Sequence, residues 1–72
     1  MRSLGLYIRK VRKEAGMSQR ELARRCGVTY QTAWYWEHDR KSPTYEKLWA
    51  LANALAVNVN DLILYKIESE QK

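Results

Sequence analysis

The chain has 72 residues, 46% of them hydrophobic, which suits one small domain near the lower limit for a core without disulfides or metal. One cysteine and one histidine exclude an intrachain disulfide and a metal cluster built from these residues. The apolar runs are too short to span a membrane and residues 1–5 lack a signal-peptide pattern, so we expect a protein of the reducing cytoplasm.

The net charge of +5 is distributed unevenly along the chain. Residues 1–41 carry ten Lys/Arg and four Asp/Glu, whereas residues 42–72 carry three Lys/Arg and four Asp/Glu. A strongly basic first part of this kind is typical of a surface that binds a polyanion. The alternative interpretation is an ordinary solvated basic surface.

The first predicted helix covers residues 4–15. Apolar residues recur there every three or four positions and so share one face: Leu4, Ile8, Val11 and Ala15. Gly16 ends this helix. Basic residues occupy its other faces: Arg2, Arg9, Lys10 and Lys13.

Two short helices are predicted next, over residues 19–25 and 30–37. Ser18 and Glu21 have the spacing of a capping box at the start of the second helix. Gly27 can end that helix in a left-handed conformation, and Thr29 can cap the third. Ala23 is small where two steeply crossing helices would touch. These features predict a helix-turn-helix, which can present its second helix to a DNA major groove.

Residues 38–42 are predicted to form a polar loop before a fourth helix over residues 45–55. Pro43 prevents the preceding helix from continuing, and Thr44 can cap the next one. We expect Trp49 at the rim of the core. The residues that should face inward are Leu48, Leu51, Ala52 and Leu55.

A last helix is predicted from the Asn58–Asp61 capping pair to about residue 67. Residues 68–72 should form a polar tail outside a single domain of residues 1–67. Since no stretch alternates with the period of a strand, we expect an all-α fold.

With these residues placed, the chain resembles the Cro/XRE family of DNA-binding domains. The resemblance runs from about residue 4 to residue 64. It rests on an ordered set of residues: Arg12, Gly16, Gln19, Glu21, Leu22, Ala23, Gly27, Val28, Thr29, Trp36, Glu37, Pro43, Leu48, Leu51, Ala52, Leu55, Val57 and Leu62. The resemblance implies a five-helix lambda-repressor-like domain with a central helix-turn-helix. It also implies binding of duplex DNA, usually as a two-fold dimer on an inverted repeat, and most often repression of transcription.

The chain departs from the family pattern at two structural positions. Ala33 stands where a larger aliphatic residue is usual, and we expect Trp36 to fill the missing volume in the core. Asp39 follows His38 where Asn-Gly is common. Because aspartate tolerates a left-handed backbone better than most residues, the turn should survive.

The third helix carries the candidate residues for reading bases. Gln31 lies in its first turn, where an amide can pair with N6 and N7 of adenine. Tyr30 and Tyr35 can offer a ring to a thymine methyl group and a hydroxyl to a phosphate or base edge. Trp34 cannot share the inward face with Trp36, so DNA or a protein should cover it.

Several polar and basic side chains are candidates for phosphate contacts. Gln19 begins the second helix, where free amide groups favour an anion. The Thr32 hydroxyl has an alternative partner in Thr29. The full candidate set is Arg9, Gln19, Arg20, Arg24, Thr32, Arg40 and Lys41.

Arg12 and Glu37 are predicted to form a structural ion pair that ties the third helix to the first. The resemblance implies that this pair is partly buried, and two separately solvated side chains are the alternative. Cys26 is predicted to be a small core residue, with a thiol activated by Arg24 and Arg25 as the alternative. No acid–base constellation surrounds His38, so an enzyme is the least favoured class.

The last helix suggests self-association. Apolar residues at positions 62–65 point all around it and cannot all enter one small core. We therefore expect a homodimer through Ile63, Ile67 and Tyr65, with two recognition helices about 34 Å apart.

The leading hypothesis is a small repressor of the phage or mobile-element type that binds double-stranded DNA at an inverted repeat. The alternative is an antitoxin-type or partner-binding module whose exposed aromatic residues dock a protein. We expect no cofactor, no metal, no small-molecule effector and no membrane association. Through DNA binding the protein should associate with the nucleoid.

Overall fold

A computed structural model describes residues 3–70, and within them all regular elements are helices. They are α1 (Leu4–Glu14), α2 (Gln19–Cys26), α3 (Tyr30–Glu37), α4 (Tyr45–Leu55) and α5 (Val59–Glu70). The predicted all-α fold of five helices is therefore confirmed. None of these helices is long and apolar enough to cross a membrane.

Serine or threonine side chains cap the N-termini of four of the five helices. Ser3, Ser18, Thr29 and Thr44 each accept a hydrogen bond from the amide three residues later, at 3.0–3.2 Å. These bonds satisfy amides that have no carbonyl partner inside the helix. The predicted starts of α2, α3 and α4 are thus confirmed.

Left-handed residues end the helices before the tight turns. Gly27 has φ +69° and closes α2, and the amide of Val28 returns to the carbonyl of Ala23 at 3.0 Å. Asp39 has φ +55° in the turn after α3, as predicted, and Ala56 has φ +57° at the end of α4.

The core lies between the helix-turn-helix pair and the other three helices. Helix α1 packs on α3 and α5, and α4 packs on α2 and α5. The predicted burial of Ala33 and Trp36 is confirmed, as is that of Leu48, Leu51 and Leu55. The largest fully buried side chains are Ile8, Leu22, Pro43, Leu48, Leu51 and Leu62.

Three details differ from the prediction. Helix α1 ends at Glu14, so Ala15 is its exposed C-terminal cap. Trp49 is 59% exposed because it lies beside the inward row of α4 and points to solvent. Helix α5 continues to Glu70, where the Glu70 carboxylate accepts from Lys66 at 2.7 Å. Lys66 also donates to Ser42 at 2.9 Å, which anchors the end of α5 to the loop before α4.

Candidate nucleic-acid interface

A buried ion pair fixes the orientation of α3. Nε and Nη2 of Arg12 donate to the two carboxylate oxygens of Glu37 at 2.5 and 3.0 Å, and the Glu37 side chain is fully buried. Nη1 of Arg12 donates to the Met17 carbonyl at 2.8 Å. Because Arg12 lies on α1 and Glu37 ends α3, this two-bond pairing holds the two helices in one relative orientation.

Gln19, predicted to contact a phosphate, is part of the same network. Its amide nitrogen donates to Oε1 of Glu37 at 2.9 Å, so the first residue of α2 is also tied to the end of α3. The hydroxyl oxygen of Thr32 lies 3.0 Å from that of Thr29. Thr29 is the partner that the three-residue spacing indicated as the alternative to a phosphate.

The outer face of α3 carries the four predicted base-reading residues. Tyr30 and Gln31 are exposed, and Trp34 and Tyr35 are half-buried. Together they line an open concavity of about 420 Å³, which we name the α3 notch. Nε2 of Gln31 donates to the Tyr35 hydroxyl at 3.0 Å, so one edge of the notch is a hydrogen-bonded pair.

Trp34 has a partner that sequence reasoning missed. The ring of His38 is stacked on its indole with centroids 3.8 Å apart and planes 14° apart. Nδ1 of His38 lies 2.9 Å from the Trp34 carbonyl oxygen, and since a carbonyl only accepts, this nitrogen carries the proton. The i, i+4 spacing of Trp34 and His38 was the available signal.

Two cations lie over the tyrosines of the α3 notch. The guanidinium of Arg20 is 4.6 Å from the Tyr30 ring centroid, and Nζ of Lys41 is 5.3 Å from the Tyr35 centroid. Both distances suit cation–π attraction. Two of the predicted phosphate-binding residues thus border the notch, and Arg9 and Arg40 are also exposed to solvent.

Arg24, a candidate for a phosphate contact, is ion-paired but open to solvent. Its side chain is 72% exposed, and Nη2 lies 2.5 Å from Oε2 of Glu21. Arg25 donates to the same oxygen at 2.7 Å. The hydrogen bonds from Arg25 and Arg24 lower the pKa of Glu21 below its ordinary value. The Glu21 carboxylate is therefore engaged by arginines rather than completing the predicted capping box.

A second contact missed at the sequence level links the turn after α3 to the start of α1. The Asp39 carboxylate accepts from the Gly5 amide at 3.0 Å and from the Ser3 hydroxyl. A Cβ atom at Gly5 would lie 2.6 Å from the carbonyl oxygens of both Trp36 and Glu37. This close approach of α1 to the end of α3 therefore requires glycine at position 5. From the turn after α3, the Asp39 carboxylate also caps the start of α1.

The surroundings of the single cysteine favour a structural role over a reactive one. Cys26 is buried in the core, and burial raises the pKa of its thiol above the ordinary value despite the opposing charge of Lys47. A buried, protonated thiol is a poor nucleophile. Within residues 3–70 no three potential metal ligands of the His, Cys, Asp or Glu type come together.

The three residues predicted to mediate dimerisation have different surroundings. Ile67 is 37% exposed on α5, and Ile63 is half-buried against the core. Tyr65 instead stacks on Tyr7 of α1, with centroids 4.4 Å apart and planes 17° apart. Leu64, which lies between Ile63 and Tyr65 in the sequence, is 59% exposed.

Comparison with known proteins identifies one family. A family model described as helix-turn-helix matches residues 8–62. No curated protein matches the sequence.

Solved structures of transcription regulators resemble the chain over most of its length. The P22 c2 repressor in complex with synthetic operator 9T is 31% identical with a TM-score of 0.81, covering 86% of this chain and 94% of that one. The clp gene regulator ClgR from Corynebacterium glutamicum is 30% identical with a TM-score of 0.79, covering 92% and 70%. SinR, a master regulator for biofilm formation solved in complex with DNA, is 31% identical with a TM-score of 0.77, covering 83% and 97%.

Proposed function

The chain belongs to the helix-turn-helix family of transcription regulators, and we propose that it is a small Cro-like repressor that binds a specific duplex DNA sequence. It would act in the cytoplasm, on the nucleoid. The observation that carries the proposal is the outer face of α3. There an amide and three aromatic side chains face away from the core on a helix that the Arg12–Glu37 pair holds rigidly.

The charges around this face support contact with the DNA backbone. Arg20 and Lys41 border the α3 notch, and Arg24 extends from the neighbouring helix α2. In this arrangement Gln31 reads an adenine edge, and the flanking cations set the position of the helix on the phosphates. The remaining proposed phosphate contacts are Arg9, Gln19, Thr32 and Arg40.

We propose a two-fold dimer on an inverted repeat. Ile67 and Leu64 are exposed on α5, and Ile63 lies partly open beside them. Pairing two copies through this helix would cover the aliphatic side chains and place two α3 helices about one DNA turn apart, near 34 Å.

Selection of bound sites from random duplexes tests the proposal. We expect an inverted repeat. Gln31→Ala should relax preference at one base pair of each half-site, because it removes an amide that pairs with a base edge. Arg24→Ala should weaken binding to all duplexes alike and reduce the salt slope of log Kd by about 1 per subunit.

Lys13→Ala is the matched control for the arginine variant, since it removes an exposed cation of α1 that lies outside the proposed contact set. It should change neither affinity nor salt slope by a comparable amount. Failure to enrich any duplex at low salt would contradict the proposal. A stable complex with a protein encoded beside this chain's own gene, formed without DNA binding, would favour the partner-binding alternative instead.

A further inference from the structure

The α3 notch has an apolar floor and one polar edge. Tyr30 and Trp34 are one helical turn apart, as are Gln31 and Tyr35, so the four side chains form the corners of one surface depression. The indole of Trp34 meets the Tyr35 ring edge-on, with centroids 5.8 Å apart and planes 74° apart. A small apolar group entering the notch would therefore meet ring surface on several sides.

The aromatic walls are supported from outside the notch. His38 covers one face of Trp34, and Arg20 and Lys41 lie over the rings of Tyr30 and Tyr35. Contacts of this kind favour the observed orientations of the three rings before anything binds. A preformed depression loses less side-chain entropy on binding than one that must be assembled.

The polar edge has a defined hydrogen-bonding direction. Because Nε2 of Gln31 donates to the Tyr35 oxygen, the phenol proton is available to donate outward. The second amide hydrogen and Oε1 of Gln31 remain for another base edge. The notch thus offers a hydroxyl donor directly beside an aromatic floor.

In the major groove, thymine presents a methyl group at C5 next to the acceptor O4. Cytosine has a donor at the equivalent position and no methyl group, and the purines have no methyl group. On this chemistry, and resting on the proposed DNA binding, we infer that the α3 notch holds the 5-methyl group of one thymine in each half-site. Tyr35 donates to O4 of that thymine.

Replacement of thymine by deoxyuridine tests the inference, because it removes only the methyl group and keeps base pairing. In the site selected by the wild-type protein, each thymine is replaced in turn and Kd is measured by fluorescence anisotropy. Replacing one particular thymine in each half-site should weaken binding by about four-fold. This factor corresponds to the free energy of burying one methyl group. The other thymines should change Kd by less than about two-fold, because no pocket covers their methyl groups.

Two variants assign the effect to the notch. Trp34→Ala removes a wall, so thymine and deoxyuridine should bind it equally well. Trp49→Ala removes an exposed tryptophan on α4 and should retain the four-fold difference. Tyr35→Phe keeps the ring and loses the hydroxyl, so it should retain the methyl effect while its preference for thymine over cytosine at that position falls to that methyl effect alone. Circular dichroism checks that each variant is folded.

Equal affinity for thymine and deoxyuridine at every position, in a protein that still selects a specific duplex, would overturn this inference and leave the proposed function intact. A thymine effect that persists in Trp34→Ala would also overturn it. Absence of binding to any duplex would instead contradict the proposed function on which the inference rests.

Discussion

Glu37 accepts hydrogen bonds from residues of two different helices through one buried carboxylate. Arg12 of α1 and Gln19 of α2 both donate to it, so the end of α3 is fixed from two sides. Among residues 3–70, the charge of Glu37 is compensated only by Arg12, whose side chain is 10% exposed. Removing either partner would leave an unpaired charge in a buried site.

Glu37→Ala should lower the free energy of unfolding by about 3–5 kcal/mol, measured by urea denaturation. Glu21→Ala is the matched control, because that carboxylate also pairs with arginines but at the solvent-exposed surface, and it should have little effect. The double variant Arg12→Met with Glu37→Leu should recover much of the loss. A loss from Glu37→Ala no larger than that from Glu21→Ala would contradict the structural role assigned to the pair.

Tyr7 should make the fold sensitive to alkaline pH. Burial, and then the electrostatic influence of Asp61, Tyr65 and Glu14, raise the pKa of Tyr7 above its ordinary value of 10.0. Its contribution to stability is therefore complete below the unfolded-state value and is lost as the pH rises through the folded-state value.

Comparing the wild type with Tyr7→Phe isolates this effect. The free energy of unfolding, measured in urea between about pH 8 and 11, should fall more steeply in the wild type because phenylalanine has no proton to lose. The stacking of the ring on Tyr65 is available to both side chains. Identical slopes for the two proteins would show that Tyr7 ionises as readily in the folded state as in the unfolded chain.

At the scale of elements, the contact between the start of α1 and the end of α3 sets how closely these helices approach. Gly5 lies directly against the carbonyl oxygens of Trp36 and Glu37, and its amide donates to Asp39. Carbonyl groups of a helix end cannot move aside as a flexible side chain can. The approach therefore tolerates no side chain at position 5.

Gly5→Ala should lower the free energy of unfolding by about 3 kcal/mol, the upper part of the range for overpacking, measured by urea or thermal denaturation. Gly16→Ala provides the comparison, since a Cβ there meets nothing within 4 Å and only the left-handed φ of +70° is unfavourable. That variant should cost about 1 kcal/mol. A Gly5→Ala protein as stable as Gly16→Ala would mean that α1 and α3 can separate at little cost.

The starts and ends of the helices were predictable because capping and turn preferences act over only a few residues. Ser18, Thr29 and Thr44 cap helices in the positions that their spacing indicates, and Asp39 adopts the left-handed conformation expected of it. The bond from Asp39 to Gly5 was not predictable, since it joins residues 34 positions apart and depends on how two helices pack.

The residues of the candidate site were predictable as a set, but their partners were not. The spacing of α3 indicated that Tyr30, Gln31, Trp34 and Tyr35 share a face, and the structure brings them into one notch. Hydrogen bonds and ring contacts depend on rotamers that sequence does not specify. The Gln31–Tyr35 bond and the His38 stack on Trp34 became visible only in three dimensions.

At the scale of the whole molecule, the proposed operator requires two copies of the domain. The proposed phosphate contacts Arg20 and Arg24 lie on α2 and Arg40 and Lys41 follow α3, while the exposed aliphatic residues Leu64 and Ile67 lie on α5. In the proposed complex this separation would leave α5 available to a second copy. Ile67 is the clearest test position because it is already 37% exposed, so a polar replacement should not disturb the core.

Ile67→Glu should prevent self-association in sedimentation velocity experiments and weaken binding to an inverted repeat more than binding to a single half-site. The reason is that two like charges would face each other across a two-fold axis. Leu6→Glu introduces the same change at an exposed aliphatic residue of α1 and should leave the assembly intact. Sedimentation of the wild type as a monomer, both free and on an inverted repeat, would contradict the dimer.

The three indoles occupy three different environments within 72 residues. Trp36 is 4% exposed in the core, Trp49 is 59% exposed on α4, and Trp34 is shielded on one side by an imidazole. Because indole emission depends on polarity and on neighbouring quenchers, the domain carries its own fluorescent reporters. Emission from Trp36 should report denaturation, and emission from Trp34, on which the His38 ring is stacked, should change when the neighbouring notch is occupied, so titrations need no attached dye.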